Sequence, residues 1–124
     1  MEQTPSSHKT FELTPAERQL AENTFFFCME HKQEHFTISF LAARAGVSPT
    51  KLKQVYRCVY DTSLFAHIRK EKMLWAAHRL AITNEKVIDI AGACGYDNAS
   101  KFSAAFRHVM GCSPQKYRKN VRSE

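Results

Sequence analysis

Apolar residues recur every three or four positions along most of the chain, the spacing of amphipathic α-helices. Two such stripes lie close together in residues 38–59: Ile38, Leu41, Ala42 and Ala45, then Leu52, Val55, Tyr56 and Val59. Gly46 can end the first helix because glycine adopts positive φ freely. Ser48 can cap the second helix and Pro49 can open it. The pattern therefore predicts a helix, a tight turn and a second helix.

The same arrangement returns about fifty residues later. Its stripes are Val87, Ile90, Ala91 and Cys94, then Phe102, Ala105, Phe106 and Val109. Gly95 is expected to end the first of these helices, and Asn98 or Asp97 to cap the second. The offset between the copies is 49 residues for the first stripe and 50 for the second, so the second turn has gained one residue.

Three further helices complete an all-α prediction of about seven helices, with no strand signal. The first begins at a capping box, Thr14 to Glu17, and is expected to run to about Lys32, with Phe25, Phe26 and Phe27 as a core block. A linker helix is predicted over residues 63–82. Its expected apolar face is Phe65, Ile68, Met73, Ala76, Ala77 and Leu80. The last helix begins at Ser113 and Pro114.

These elements divide the chain into a polar tail and two helix–turn–helix subdomains. The tail, expected to be disordered, is residues 1–13, and the first subdomain is residues 14–62. The linker helix, residues 63–82, joins it to the second subdomain, residues 83–121.

Charge adds a candidate partner. The 124-residue chain has a formal charge of +6, but residues 1–46 carry −2 and residues 47–124 carry +8. A basic excess over the repeated region favours a polyanion. The sequence has no apolar run long enough to cross a bilayer and no export signal, and its four cysteines lie among apolar residues. We therefore expect a cytoplasmic protein with reduced core cysteines and no membrane partner.

In a helix–turn–helix the second helix enters the major groove of DNA. The stripes leave polar side chains exposed on both second helices. Gln54 can pair with adenine and Lys53 with guanine, while Thr50 offers a hydroxyl and a methyl group. Phosphate contacts are assigned to the other exposed polar residues: Lys51, Arg57, Lys101, Ser103 and Arg107. Two units could place their second helices about 34 Å apart, one DNA turn.

The downstream half carries a more specific pattern: "KMLWAAHRL", then "VIDIAGACGYDNASKFSAAFRHVMGCSP", then "QKYR". With these motifs the chain resembles the DNA-binding domain of AraC/XylS-type bacterial transcription regulators over about residues 14–119. The resemblance implies a transcription regulator, more often an activator, that contacts RNA polymerase and needs no cofactor. Its base-reading positions match Thr50, Lys53, Gln54, Ala99, Ser100, Lys101 and Ala104. It also implies a bacterial, nucleoid-associated protein.

The sequence departs from richer family members at two positions. Ala99 and Ala104 can touch a thymine methyl but offer no hydrogen bond to a base. Our hypothesis is that the first unit carries most of the specificity and the second holds the backbone. Many relatives have a separate sensing domain, so the chain is either a stand-alone regulator or an excised C-terminal domain; the polar N-terminus slightly favours the latter.

Other interpretations stay open. Cys28, His31 and His35 have a spacing that could offer three metal ligands on one helix face, but no fourth ligand follows.

No catalytic motif occurs, so we predict no enzyme. The alternative function is a helical protein–protein interaction module without sequence-specific DNA binding. Leu74 and Trp75 could form an exposed apolar spot for a partner, or Trp75 could lie over a groove between the subdomains. Asp89 is interpreted as structural rather than as a polymerase contact.

Overall fold

The structure, a computed structural model, describes residues 12–123. Most of the predicted tail, residues 1–11, lies outside this range. Residues 12–123 contain seven α-helices and no strand, which confirms the all-α prediction. The helices are α1 Pro15–Glu30, α2 Ile38–Ala45, α3 Pro49–Tyr60, α4 Leu64–Ile82, α5 Val87–Ala93, α6 Ala99–Met110 and α7 Pro114–Arg122.

The chain forms two compact units. The described part of the first comprises residues 12–30 and Phe36–His67, and that of the second comprises His31–His35 and residues 68–123. The boundary therefore falls within α4, and a short segment between α1 and α2 belongs to the second unit. The predicted limits of the subdomains and the linker stay a prediction.

The predicted capping box at the start of α1 is confirmed. The Thr14 N–H donates to Glu17 Oε1 and the Glu17 N–H donates to Thr14 Oγ1, both over 3.0 Å. The helix ends at Glu30, two residues before the predicted end at Lys32. The prediction that the phenylalanine block is core was wrong for Phe26, whose side chain is 58% exposed. Three successive helical residues point in three directions about 100° apart, so one stripe cannot bury all of them.

In the first unit α2, a turn and α3 form the predicted helix–turn–helix. The Oγ atoms of Thr37 and Ser48 accept backbone N–H groups at the starts of α2 and α3. Gly46 ends α2 in the left-handed region, at φ 76°. The buried positions lie on the predicted stripes and pack with α1: Leu41, Ala42, Leu52, Val55 and Tyr56.

The helix α4 contributes to both cores. Five of its six predicted apolar positions are buried: Ile68, Met73, Ala76, Ala77 and Leu80. The sixth, Phe65, was predicted wrongly, because its side chain is 46% exposed. Phe65 directly follows the buried Leu64, which takes the inward position in that turn.

The second unit repeats the arrangement with α5 and α6 and adds α7. Its core comprises Met73, Ala76, Ala77, Leu80, Ile90, Ala91, Cys94, Phe102 and Phe106. Asn98 caps α6 by accepting the Lys101 N–H, so Asn98 rather than Asp97 is the cap. Arg118 and Arg122 on α7 both donate to the Thr83 carbonyl oxygen just beyond α4, over 3.1 and 2.7 Å. Their guanidinium groups therefore satisfy backbone acceptors at the end of that helix.

All four cysteines are free thiols: Cys28 and Cys94 are buried, and Cys58 and Cys112 are half-buried. No helix in residues 12–123 is long and apolar enough to cross a membrane.

Candidate nucleic-acid interface

The helix α3 presents one apolar face to the first unit and a polar face to solvent. Leu52, Val55 and Tyr56 are fully buried. The predicted nucleic-acid contacts are all exposed: Thr50, Lys51, Lys53, Gln54 and Arg57. The helix carries no acidic residue, so its exposed face is uniformly polar or positive. That is the arrangement that a polyanion contact requires.

Aromatic groups hold α3 against the first turns of α4. The Tyr56 hydroxyl shares a 2.7 Å hydrogen bond with His67 Nδ1. The His67 ring also stacks on Phe25 of α1, with ring centroids 4.9 Å apart. A fully buried tyrosine whose hydroxyl is hydrogen-bonded and whose partner is stacked on another helix has little freedom to rotate. The orientation of the polar face of α3 is therefore well defined within the first unit.

Lys51, predicted to contact phosphate, has a partner within the protein. Its Nζ lies 2.9 Å from Glu17 Oε2, and the Glu17 side chain is only 16% exposed. The hydrogen bond from Lys51, followed by that from the Thr14 N–H, lowers the pKa of Glu17. One carboxylate thus caps α1 with one oxygen and pairs with the start of α3 through the other. Sequence patterns identify the cap but not this second contact.

The helix α6 is likewise divided into a buried apolar face and an exposed face. Phe102 and Phe106 are fully buried, and the predicted contacts Ala99, Ser100, Lys101, Ala104 and Arg107 are exposed. Ser103 is half-buried, which leaves it less available than the others. This helix also carries no acidic residue. The structure thus groups the predicted contacts of each unit on one face of its second helix. Their contacts with bases or phosphates stay a prediction.

The turn before α6 is held by residues that the sequence did not link to it. His35 Nε2 lies 2.9 Å from the carbonyl oxygen of Gly95. The Nζ of Lys72, a side chain on α4 that is 3% exposed, donates to the carbonyl oxygens of Glu34 and Cys94 over 3.1 and 3.5 Å. Burial raises the pKa of the Cys94 thiol to about 11, so the thiol is protonated at neutral pH and donates to the Lys72 carbonyl oxygen.

The remaining sequence candidates take other positions. His35, considered as a metal ligand, contacts the turn instead, and no group of three or more His, Cys, Asp or Glu residues within 12–123 is arranged to hold a metal. Trp75 is partly buried against the second core, with Lys32 Nζ 4.8 Å from its ring centroid, while Leu74 is 40% exposed. Asp89 is exposed in the first turn of α5, where a negative charge suits the helix dipole.

Comparison with known proteins identifies the family. A family model described as a helix-turn-helix domain matches residues 41–120, which is more than half of the chain. The regulatory protein SoxS of Salmonella typhimurium is 33% identical over 89 residues, which cover 72% of this chain and 83% of SoxS. The chain belongs to the AraC family of transcription regulators.

Other AraC-type relatives differ in length. A putative HTH-type transcriptional regulator of Escherichia coli K12, YkgA, is 31% identical over 91 residues, which cover 73% of this chain but 38% of YkgA. The HTH-type transcriptional activator AarP of Providencia stuartii is 33% identical over 78 residues, which cover 63% of this chain and 58% of AarP. The chain thus spans most of SoxS and a minor part of YkgA.

Solved AraC-type structures share the fold. The DNA-binding domain of AdpA, a global transcriptional factor crystallised with a target DNA, matches with a TM-score of 0.77 and 26% identity, covering 83% of this chain and 93% of the AdpA chain. The C-terminal domain of AraT, a response regulator from Geobacillus stearothermophilus, matches with a TM-score of 0.75 and 29% identity, covering 89% of this chain and 88% of the AraT chain.

Proposed function

We propose that the chain is a sequence-specific transcription regulator that binds double-stranded DNA through α3 and α6. The observation that carries the proposal is the pair of second helices, each anchored by a buried stripe and each exposing a polar face without an acidic residue. Helix–turn–helix proteins insert such a face into the major groove. The DNA complex of the similar AdpA domain supports the same partner here.

The two units are proposed to enter successive major grooves of one asymmetric site. Base contacts are assigned to Thr50, Lys53 and Gln54 in the first unit and to Ala99, Ser100, Lys101 and Ala104 in the second. Backbone contacts are assigned to Lys51, Arg57, Ser103 and Arg107. Of these, Lys51 must leave or share Glu17 to reach a phosphate. The number and exposure of the cations predict binding that weakens steeply with salt.

Regulation by activation, through contact with RNA polymerase, completes the proposal. Support comes from the AraC family and from the activator AarP among the relatives. The protein would act in the bacterial cytoplasm on the nucleoid, without a catalytic step of its own. If the native protein is longer than this chain, we propose that the additional residues form a separate sensing domain. The relative YkgA is itself longer, since the match covers 38% of its length.

Selection from a random duplex pool tests the proposal. The purified chain is expected to enrich an asymmetric site of roughly 20 base pairs with two short elements about one helical turn apart. Titration of that site at several salt concentrations should give a steep linear loss of log affinity with log salt. An unenriched pool together with a shallow salt slope would instead support a protein–protein interaction module.

A pull-down and a promoter assay test activation separately. With the selected site placed upstream of a weak promoter, the chain should raise transcription by purified bacterial RNA polymerase and retain the polymerase on DNA. Unchanged or reduced transcription from a site that the chain occupies would contradict the activator assignment while leaving DNA binding intact.

A further inference from the structure

The two helix–turn–helix turns differ in length by one residue. The longer, second turn is contacted by another segment of the same chain. Ser48 caps α3 two residues after Gly46, whereas Asn98 caps α6 three residues after Gly95. Both glycines have positive φ, 76° and 91°. A Cβ built on Gly46 would meet no atom within 4 Å, but one on Gly95 would lie 2.7 Å from His35 Nε2 and 3.0 Å from the Gln33 carbonyl oxygen. The segment His31–His35 therefore lies directly on the second turn.

Two consecutive carbonyl groups of this turn are held by side-chain donors. The Gly95 carbonyl oxygen accepts from His35 Nε2 over 2.9 Å, and that of Cys94 accepts from Lys72 Nζ over 3.5 Å. A carbonyl oxygen can only accept, so His35 Nε2 must carry a hydrogen. The His35 ring also meets the Tyr96 ring edge to face, with centroids 5.3 Å apart.

Lys72 connects the same turn to the segment His31–His35 through hydrogen bonds. Its ammonium group is almost completely buried and also donates to the Glu34 carbonyl oxygen over 3.1 Å. Burying an ammonium is costly unless it is well hydrogen-bonded, so these carbonyl contacts account for its position. One lysine thus joins the segment preceding α2 to the end of α5.

The two hydrogen-bonded carbonyl groups, of Cys94 and Gly95, lie in the turn that precedes the proposed second recognition helix, and three residues separate Gly95 from the start of α6. Tyr96 continues from Gly95 and packs against Phe102 in α6, with ring centroids 5.8 Å apart. Two residues later Asn98 caps α6 through the Lys101 N–H. Displacement of the turn would therefore move the first turn of α6, which carries three of the proposed base contacts: Ala99, Ser100 and Lys101.

We infer that His35 and Lys72 are positioning residues for DNA recognition by α6, with the segment His31–His35 acting as a structural part of the second helix–turn–helix. The inference rests on the proposed DNA-binding function. Neither side chain is assigned a contact with DNA. Their effect passes through the carbonyl groups of Cys94 and Gly95.

The test compares His35→Ala and Lys72→Met with the conservative variants His35→Gln and Lys72→Arg. His35 is exposed and lines an open hollow of about 540 Å³, so truncating it should leave the core intact. Gln33→Ala is the matched control, because the Gln33 side chain is exposed on the same segment and the Gln33 atom that approaches Gly95 is its backbone carbonyl oxygen. Circular dichroism and thermal melts check that each variant folds.

The first readout is discrimination between matched and mismatched bases in each half of the selected site. We expect His35→Ala and Lys72→Met to lower discrimination roughly 5-fold or more in the second element, the effect of losing about one base contact. Discrimination in the first element should not change, and His35→Gln should restore part of the loss. Equal losses in both elements, or no loss in folded variants, would overturn the inference.

The second readout does not depend on DNA. Amide hydrogen exchange at Tyr96 and Lys101 should accelerate roughly 2- to 10-fold in His35→Ala, the worth of one hydrogen bond. The corresponding amides of the first turn, Val47 and Lys51, and the Gln33→Ala control should stay at the native rate. Unchanged exchange at Tyr96 would overturn the positioning role whether or not DNA binds. Faster exchange in a chain that selects no DNA site would instead locate the failure in the proposed function.

Discussion

The two helix–turn–helix units follow the same sequence pattern but are supported differently. In the first, Gly46 sits in an open turn, and α3 is held by the Tyr56–His67 hydrogen bond behind it. In the second, Gly95 is in close contact with His35, and the buried Lys72 donates to the carbonyl oxygen of the neighbouring Cys94. The repeat therefore keeps the four helices and the side-chain caps at the starts of α3 and α6, while the constraint on each turn comes from elsewhere in the chain.

The two exposed faces also differ in chemistry. The predicted contacts in α3 are Thr50, Lys53 and Gln54, all of which carry polar groups. Those in α6 include Ala99 and Ala104, which carry only a methyl group. Hydrogen bonds to base edges discriminate more strongly than methyl contacts do. A less constrained turn thus precedes the helix with more predicted hydrogen-bonding groups for bases, and a tightly held turn precedes the helix with fewer.

The largest expected effect comes from substituting the two turn glycines. Gly46→Ala should cost about 1–2 kcal/mol of unfolding free energy, because alanine is disfavoured in the left-handed region. Gly95→Ala carries the same penalty and also drives a Cβ against the Gln33 carbonyl and His35, so we expect roughly 2–4 kcal/mol. Urea denaturation of both variants measures the difference.

His35→Ala provides the control for this comparison, because it opens space beside Gly95. In that background the cost of Gly95→Ala should fall toward that of Gly46→Ala. Equal costs for the two glycines in the native background would show that the segment His31–His35 does not constrain the second turn.

The next effect concerns base recognition. Lys53→Ala and Gln54→Ala should each cost about 1–3 kcal/mol on the preferred site and relax the base preference at one position of the first element. Lys101→Ala should relax the base preference in the second element by a smaller factor, because the neighbouring Ala99 and Ala104 add no hydrogen bonds to bases there. Binding-site selection repeated with each variant measures both outcomes.

An unchanged preferred sequence in both Lys53→Ala and Gln54→Ala would contradict the assignment of specificity to the first unit. A strong loss of preference in Lys101→Ala would shift that assignment toward α6.

A smaller effect is expected from Glu17. Because Glu17 pairs with Lys51 at 2.9 Å, Glu17→Gln should free the ammonium for a phosphate and remove a negative charge beside α3. Affinity should rise a few fold at low salt, and the slope of log affinity against log salt should steepen by at most about 0.9, the value for one complete phosphate contact, because Lys51 makes that contact only in part while it shares Glu17. Fluorescence anisotropy across a salt series measures both.

Two variants separate this cause from a general charge effect. The double variant Glu17→Gln with Lys51→Met should lose this increase in slope. Glu12→Gln, which removes an exposed carboxylate outside α1, should leave the slope at its native value. A lower affinity in Glu17→Gln would mean that the ion pair positions α3 for DNA rather than competing with it.

Local sequence signals predicted the helices well. The capping box at Thr14, the cap at Ser48 and the turn glycines each depend on neighbours within four residues, so pattern alone identifies them. For the cap of α6 the pattern left Asn98 and Asp97 open, and the structure decides for Asn98. Errors arose where a predicted apolar face included residues that cannot all point toward the core. Phe26 and Phe65 are apolar but exposed, because Phe26 lies off the buried side of α1 and Leu64 takes the inward position beside Phe65.

The contacts around the turns were not predictable in the same way. His35 meets Gly95 across 60 positions of sequence, and Lys72 meets Glu34 across 38. No periodicity encodes a pairing at such separations. The extra residue in the second turn did signal that the repeats differ, but only the fold identifies His31–His35 as the segment that contacts this turn.

The smallest expected effect is a pH dependence of the first unit. Hydrogen bonds from Lys51 and the Thr14 N–H hold the pKa of Glu17 below its ordinary value of 4.5. Because the folded state favours the carboxylate, its contribution to stability is present above about pH 4.5 and is lost as pH falls through the lower, folded pKa. The melting temperature of the native chain should therefore drop more steeply below about pH 4.5 than that of Glu17→Gln. Glu85→Gln removes the equivalent carboxylate beside Arg79 in the second unit, so it shows whether the two units share this response. Parallel melting curves for the native chain and Glu17→Gln would mean that the exposed ion pair contributes nothing measurable, as many surface pairs do. In that case Lys51 would be free for phosphate without any loss to the fold.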